Sequence, residues 1–435
     1  MRSTSIRWCP TRIWRSGVDA GKNEHDMDES KISHLHPSDV RALMRLLNDA
    51  VVGGTDVTEA VHAALVQGMG LPARAEDRMG GISGFVYRTV RGITKGVSRS
   101  ADWALDRTEP LLRERPTSRQ REAVVAILNG VLGDYLTATG NPLATPMTFR
   151  RRGKSLALHS HRLADALPDA TSYPIIWIHG LCMHDGQWTR HGHNHPSAAE
   201  RDLPATALFV RYNTGLHIST NGQTLATLME RLLEAWPRPV ERLAIVGHSM
   251  GGLVARSAAH YAMKQGLHWP EQLTTLACLG SPHHGAPLER GGGWIDYLLG
   301  ASSVSAPLAR LGQIRSDGIT DLRYGYLRDA DWQHPDADQP GVDTRNPVPW
   351  PSGVSPYLMA ASTGARRGDV KDRLIGDGLV PLDSALGRHP DPDLALHVPP
   401  SQQWVGYEMN HFDLLSDYTV YRALRTHLVQ TTRTT

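Results

Sequence analysis

Two hydrophobic periodicities divide the chain. From residue 38 to 143 apolar residues recur at helical spacing. Val40, Leu43, Met44, Leu46 and Leu47 follow a capping Ser38, and Val61, Ala64 and Leu65 follow Thr58. Phe85, Val86, Val90, Ile93 and Val97 share one face of 82–99, and Val124, Ile127, Leu128, Val131 and Leu132 share one face of 119–136. Such spacing places each set on one side of a helix. No strand-like alternation interrupts it, so residues 31–146 read as an α-helical N-terminal extension.

Near residue 147 the pattern changes. Short β-rich runs alternate with amphipathic helices: 148–149 and 155–159, PIIWIHG at 174–180, ALFVRYN at 207–213, RLAIVGHS at 242–249, LTTLACLG at 273–280, YLMAAST at 357–363 and LALHV at 394–398. Helices are expected at about 220–235, capped by Thr220 and stopped by Pro237, at about 250–264, and at about 413–429. Apolar strands alternating with helices predict an α/β fold, a mainly parallel sheet with helices on both faces. Between 286 and 356 the alternation lapses. That stretch is too long for a simple connection and reads as a cap insertion over the site, with Trp294, Tyr297, Leu298, Leu299, Leu308 and Leu311 as its apolar surface.

Composition narrows the picture. Of 435 residues, 46 are basic and 44 acidic, for a net charge of +2, which gives nucleic acid no electrostatic footprint. Cys9, Cys182 and Cys278 do not describe a disulfide framework and fit a reducing compartment. No run reaches the roughly 18 apolar residues of a membrane span. Residues 1–30 show no secretory pattern and read as a disordered tail, or as sequence upstream of a true start at Met27. The expected location is the cytoplasm.

The candidate chemistry centres on Gly247-His248-Ser249-Met250-Gly251, directly after the strand LAIV and at the start of a helix. A nucleophile elbow needs glycines two positions either side of its serine, where strand and helix backbones approach too closely for side chains. The turn exposes Ser249 Oγ and sets the Met250 N–H at a helix N-terminus, where an oxyanion is stabilised. Leu181 N–H, after the strand PIIWI, is the candidate second donor. His179 reads as structural and Cys182 as a packed small residue. The order Ser, acid, His along such a chain selects Asp377, in Gly376-Asp377-Gly378-Leu379-Val380-Pro381, and His411, just before the last helix. Asp369, Asp372 and Asp383 are rivals for the acid, and His283 and His284 are expected to line the pocket wall.

HGL at 179–181, GHSMGG at 247–252, GSPHHGAP at 280–287, DGLVP at 377–381 and NHFD at 410–413 resemble bacterial lipases of the α/β-hydrolase superfamily. They resemble the α/β domain of the glycosylphosphatidylinositol inositol-deacylase-like group about as well. The resemblance covers about 147–435 and implies a catalytic triad of Ser249, Asp377 and His411. Such lipases often bind calcium beside the histidine, through an aspartate two residues after it and a glutamine six after it. Here those positions hold Asp413 and Asp417, so the glutamine is missing; capping of the last helix by Asp413 is the expected role.

The expected function is hydrolysis of carboxylic esters, by an esterase or lipase, through an acyl-enzyme, with no cofactor and no metal. A thioesterase, amidase or acyltransferase shares the same machinery. A membrane-associated interaction protein with a vestigial hydrolase domain is the reading from another class. The partner is a small-molecule or lipid ester. Arg88, Arg91, Lys95 and Arg99 on 82–99 also suit peripheral contact with the inner membrane face, although the glycines of that stretch favour docking on the hydrolase domain.

Overall fold

The apolar runs of the second half of the chain pair into one sheet of eight strands. The structure, a computed structural model, describes residues 119–286, 316–336, 343–366 and 376–431. The tail at 1–30, the first three helices of the extension with the basic face of 82–99, and Trp294, Tyr297, Leu298, Leu299, Leu308 and Leu311 of the insertion lie outside the described residues, as do the rival acids Asp369 and Asp372.

The strands are β1 (Thr148–Arg151), β2 (Lys154–Ser155), β3 (Pro174–Ile178), β6 (Thr206–Arg211), β7 (Leu243–His248), β8 (Leu273–Leu279), β9 (Ser355–Ser362) and β10 (Gln403–Tyr407). A separate two-stranded ribbon is made by β4 (Thr189–Arg190) and β5 (His193–Asn194). The large sheet runs β10-β9-β8-β7-β3-β6-β1-β2; β1 pairs antiparallel with β2 and β6, and every other pairing is parallel. From β3 the chain builds outward to β6 on one side and then returns to β7 on the other. The carboxyl ends of β3 and β7 therefore border the crevice where open α/β sheets place their ligands.

The helices are α1 (Arg119–Ala138), α2 (Ser160–Ala166), α3 (His195–Asp202), α4 (Ile218–Glu234), α5 (Met250–Gln265), α6 (Asp317–Tyr324), α7 (Asp329–Trp332), α8 (Leu382–Ala385) and α9 (Tyr418–Gln430). Successive strand side chains point to opposite faces, and both faces are covered. Ile176, Ile178 and Ile245 pack with Leu225 and Met229 of α4 and Leu253 of α5. Ile175, Trp177 and Val246 pack with Ala198 of α3 and Leu424 and Leu428 of α9. Each such side chain removed from water contributes about 1.5–3 kcal/mol, so the central strands anchor the elbow that follows β7. Helix α1 joins this core at close range: a Cβ on Gly130 would strike Cys182 Sγ, and Asn213 Nδ2 donates to the Gly133 carbonyl at 2.8 Å. Among the described residues no helix is long and apolar enough to cross a membrane.

Four local expectations need correction. LALHV is not a strand; the last strand is β10 at 403–407. Of the second β run, 155–159, only Ser155 is strand, as the end of β2, and the chain turns into α2 soon after. Thr220 does not cap α4, which begins at Ile218 and has its first N–H bound by Asp321 Oδ2 at 2.7 Å. The cap of α9 is Asp417, whose Oδ1 accepts from Thr419 N–H at 2.7 Å, while Asp413 Oδ2 accepts from Asn410 N–H at 2.8 Å.

Candidate active site

Ser249 stands between β7 and α5 with φ 53° and ψ −123°, a backbone region that costs a non-glycine residue about 1–3 kcal/mol. The flanking glycines are required by contact. A Cβ on Gly247 would collide with the backbone of Gly251 and Gly252, and one on Gly251 would collide with the carbonyls of Ile178 and His179. Gly180 is also constrained, since its Cβ would lie 3.0 Å from Ser249 Cβ. The serine N–H is already bound to the Leu279 carbonyl at 2.8 Å, so this amide is not available to an oxyanion. Met250 N–H is the first amide of α5 and has no partner within the helix.

Leu181, after β3, lines the same small cleft as Ser249. Among the described residues neither Leu181 nor Met250 N–H has a protein acceptor. The loop that presents Leu181 is fixed by its neighbours. Cys182 has φ 57° and donates its N–H to Thr214 Oγ1 at 3.1 Å, and Met183 N–H donates to the Gly180 carbonyl at 3.3 Å. Two residues after Met183, Asp185 is held by Arg150 and Arg211, and Arg211 also pairs with Glu122 of α1.

Asp377 and His411 come from the loops after β9 and β10. His411 Nδ1–H donates to Asp377 Oδ2 at 2.6 Å, and both side chains are buried. Asp377 Oδ1 accepts from Leu379 and Val380 N–H at 3.0 and 2.8 Å, which fixes the carboxylate plane. Gly376, at φ 59°, permits the turn: a Cβ there would strike the Val380 carbonyl. The rival Asp383 is exposed and pairs with Arg388 instead.

Ser249, His411 and Leu181 therefore share one cleft of about 20 Å³, walled by Met183, His248, Ala286, Leu322, Leu379, Val380 and Phe412. That is room for about one water molecule. His248 has no role in the sequence reading, although it lies inside the GHSMG motif. Its Nε2–H donates to the His411 carbonyl at 3.1 Å, and the two rings lie 4.7 Å apart. Burial, reinforced by the neighbouring His411, pushes its pKa well below the usual value, so it sits there uncharged. Leu322 comes from α6, so the insertion reaches the cleft.

The other candidates fall elsewhere. His179 is buried and stacked on Tyr212, and burial lowers its pKa to about 4. Burial pushes the Cys182 thiol up to about 12, which denies it thiolate character. His283 and His284 do not line the Ser249 cleft; they line a separate cavity behind its wall. The sequence marks them as adjacent to the sheet edge but does not say on which side of the 281–286 segment they project. Among the described residues no group of three or more His, Cys, Asp or Glu side chains is disposed to hold a metal ion.

Residues 169–340 match the family described as PGAP1-like alpha/beta domain. No curated protein matches the chain. Among solved structures, the chain is similar to the mature lipase BlEst2 of Bacillus licheniformis, with 20% identity over 58% of this chain and 91% of that one and a TM-score of 0.38. It is similar to Aspergillus fumigatus lipase B, with 9% identity over 66% of this chain and 57% of that one and a TM-score of 0.38. It is also similar to Staphylococcus hyicus lipase, with 13% identity over 60% of this chain and 96% of that one and a TM-score of 0.32. The mainly parallel sheet, covered by helices on both faces and carrying a serine on the turn from β7 to α5, has the α/β-hydrolase-like architecture that the motifs implied.

Proposed function

We propose that this protein is a serine hydrolase that cleaves carboxylic esters through an acyl-enzyme. The reading is carried by one observation: His411, bound to the buried Asp377 at 2.6 Å, lines one small cleft with a serine held at φ 53°. His411 takes the Ser249 proton as Oγ attacks the ester carbonyl. Asp377 orients the imidazole and stabilises the cation that forms. The N–H groups of Leu181 and Met250 receive the oxyanion, at the crevice end of β3 and at the N-terminus of α5. His411 then returns the proton to the alcohol, activates water and releases the acid. These steps call on no cofactor. A cytoplasmic setting, with any membrane contact peripheral, belongs to the same reading and rests on the three-cysteine composition.

The test is a panel of p-nitrophenyl esters with thioester and anilide controls, together with labelling by a fluorophosphonate. The wild type is expected to turn over esters and to be labelled at Ser249, and Ser249→Ala to do neither while keeping its fold. Near-wild-type turnover by Ser249→Ala overturns the mechanism. Turnover confined to thioesters or anilides moves the assignment to another acyl class of the same machinery.

A further inference from the structure

A second cavity, of about 280 Å³, lies behind the wall of the Ser249 cleft. Two backbone segments form that wall, 281–286 and 322–327, joined by the Ala286 N–H to the Leu322 carbonyl at 3.2 Å. Ala286 and Leu322 line the Ser249 cleft, whereas His283 and Leu327 of the same segments line the second cavity.

Arg256 of α5, seven residues after Ser249, lines this cavity and is only 4% exposed. Its Nη2 donates to the Val348 carbonyl at 2.9 Å and its Nη1 to His283 Nδ1 at 3.2 Å, and the guanidinium carbon lies 5.0 Å from the centre of the Trp350 ring. No carboxylate among the described residues pairs with it. A second arginine, Arg345, lines the same cavity and donates through Nη1 to the His283 carbonyl at 3.1 Å. The two guanidiniums thus hold one residue by its ring and by its main chain. The carboxylates nearby are otherwise engaged or exposed. Asp343 pairs with Arg345, Asp331 pairs with Arg328 and accepts from two backbone N–H groups, and Asp393 is exposed at the rim.

A buried charge without a counter-ion costs several kcal/mol. Burial and the like charge of Arg345 both press on Arg256 and bring its pKa down to about 10, which still leaves it a cation at neutral pH. The neutral donors around it are also unmet. His283 Nδ1 accepts from Arg256, so the ring proton sits on Nε2, which is buried with no acceptor; Trp350 Nε1–H is in the same position. The wall therefore presents cationic and neutral donors in excess of acceptors.

We propose that this cavity binds a small anion, presenting a carboxylate or a phosphate, between Arg256 and Arg345. Arg345 turns its Nε–Nη2 edge to Asp343, so the anion is held by the remaining guanidinium hydrogens of the two arginines together with the unpartnered His283 Nε2–H and Trp350 Nε1–H. The volume is just below the roughly 300–1,000 Å³ of ordinary small-molecule sites, which suits an anion of a few heavy atoms. The site is separate from the ester cleft and does not depend on which acyl compound the enzyme cleaves.

The experiment is isothermal titration of the intact chain with inorganic phosphate, glycerol phosphate, acetate and succinate, at an ionic strength held constant with sodium chloride. The expected result is saturable one-to-one binding of at least one anion; the phosphate and carboxylate arms identify the source. Binding should weaken by about 10- to 100-fold in Arg345→Gln, the loss expected for one charge-assisted hydrogen bond. It should weaken also in Arg256→Lys, which keeps the charge but not the fork. Ser249→Ala should bind as the wild type does. Absence of saturable heat with all four anions overturns the proposal, as does unchanged affinity in Arg345→Gln. If Arg256→Lys does not fold, the wild type and Arg345→Gln decide the matter alone.

Discussion

His411 and Asp377 are joined twice. The imidazole Nδ1–H donates to the Asp377 carboxylate at 2.6 Å, and the His411 main-chain N–H donates to the Asp377 carbonyl at 3.0 Å. The second bond ties together the loops after β9 and β10, so the ring is located by backbone as well as by charge. Removing the carboxylate charge leaves that backbone tie in place.

Asp377→Asn should therefore fold and yet be nearly inactive. An amide in place of Oδ2 no longer enforces the tautomer that leaves Nε2 free to act as base, a defect that costs on the order of 10⁴ in kcat in an Asp–His–Ser system. His411→Ala should lose at least as much. Under the proposed mechanism the double variant should fall little below His411→Ala, because members of a catalytic triad act as a unit. Asp383→Asn should stay within about twofold of wild type, a change worth under 0.5 kcal/mol, since Asp383 is exposed and bound only to Arg388. Steady-state kinetics on one accepted ester decides it: a damaging Asp383→Asn beside a mild Asp377→Asn refutes the assignment.

Ser249 stores strain that a stability measurement can read. At φ 53° and ψ −123° any residue with a Cβ is disfavoured, whereas glycine is not. Ser249→Ala and Ser249→Gly should both be inactive. The glycine variant should be the more stable by about 0.5–2 kcal/mol, the relief of strain less the extra freedom glycine has when unfolded. Urea midpoints compare the two directly, and an alanine variant equal to or more stable than the glycine variant removes the strain from the account.

The tight turn around Ser249 was legible because Gly247 and Gly251 meet a local requirement, a backbone crossing that only glycine permits. The parallel central strands were legible because both their faces are buried, which makes them continuous apolar runs. Strand β10 was not. It lies at the edge of the sheet, and Gln403, Trp404, Val405 and Tyr407 are only half-buried, so its pattern is weaker than that of LALHV, which is a loop anchored by Leu396 against Gly387. The start of α4 was missed for another reason. Its first amide is bound by Asp321, which lies 103 residues further along the chain, and a cap supplied from such a distance leaves no mark beside the helix. The cavity of Arg256 was invisible for the same reason, since α5, the segment after β8 and residues 345–350 meet only in the folded chain.

Leu322 should control the size of the acyl group accepted. It is buried, reaches the Ser249 cleft from α6, and leaves room for about 20 Å³ there. Leu322→Ala should raise kcat/KM for butyrate relative to acetate by about fourfold for each methylene newly accommodated, the equivalent of about 0.8 kcal/mol of burial. The ratio of the two p-nitrophenyl esters is the measurement. An unchanged ratio places the acyl group against other residues of the cleft, such as Met183 or Phe412.

The attachment of α6 and α7 to α4 should weaken as pH rises. His217, the residue before α4, donates from Nδ1 to both oxygens of the buried Asp321 at 3.0 and 3.1 Å and stacks on Trp332 of α7 with ring centres 3.8 Å apart. Burial lowers its pKa, but the hydrogen bond and charge of Asp321, followed by the charges of Asp317 and Asp329, outweigh burial, and the net shift is upward. A histidine with a raised folded pKa stabilises fully below its unfolded value of about 6.5, and this contribution disappears as pH rises through the folded value. Asp321 is also raised, by burial first, with His217 opposing, so its contribution falls with pH too, but in a window that opens near 3.9. The buried His179, His248 and His283 have lowered values and the opposite sign. Their stabilisation is complete above about 6.5 and is lost only on acidification. Thermal unfolding between about pH 6.5 and 8 should therefore show the wild type losing Tm relative to His217→Gln. Curves for the two proteins that stay parallel across that window would mean that the His217–Asp321 pair carries no linked proton.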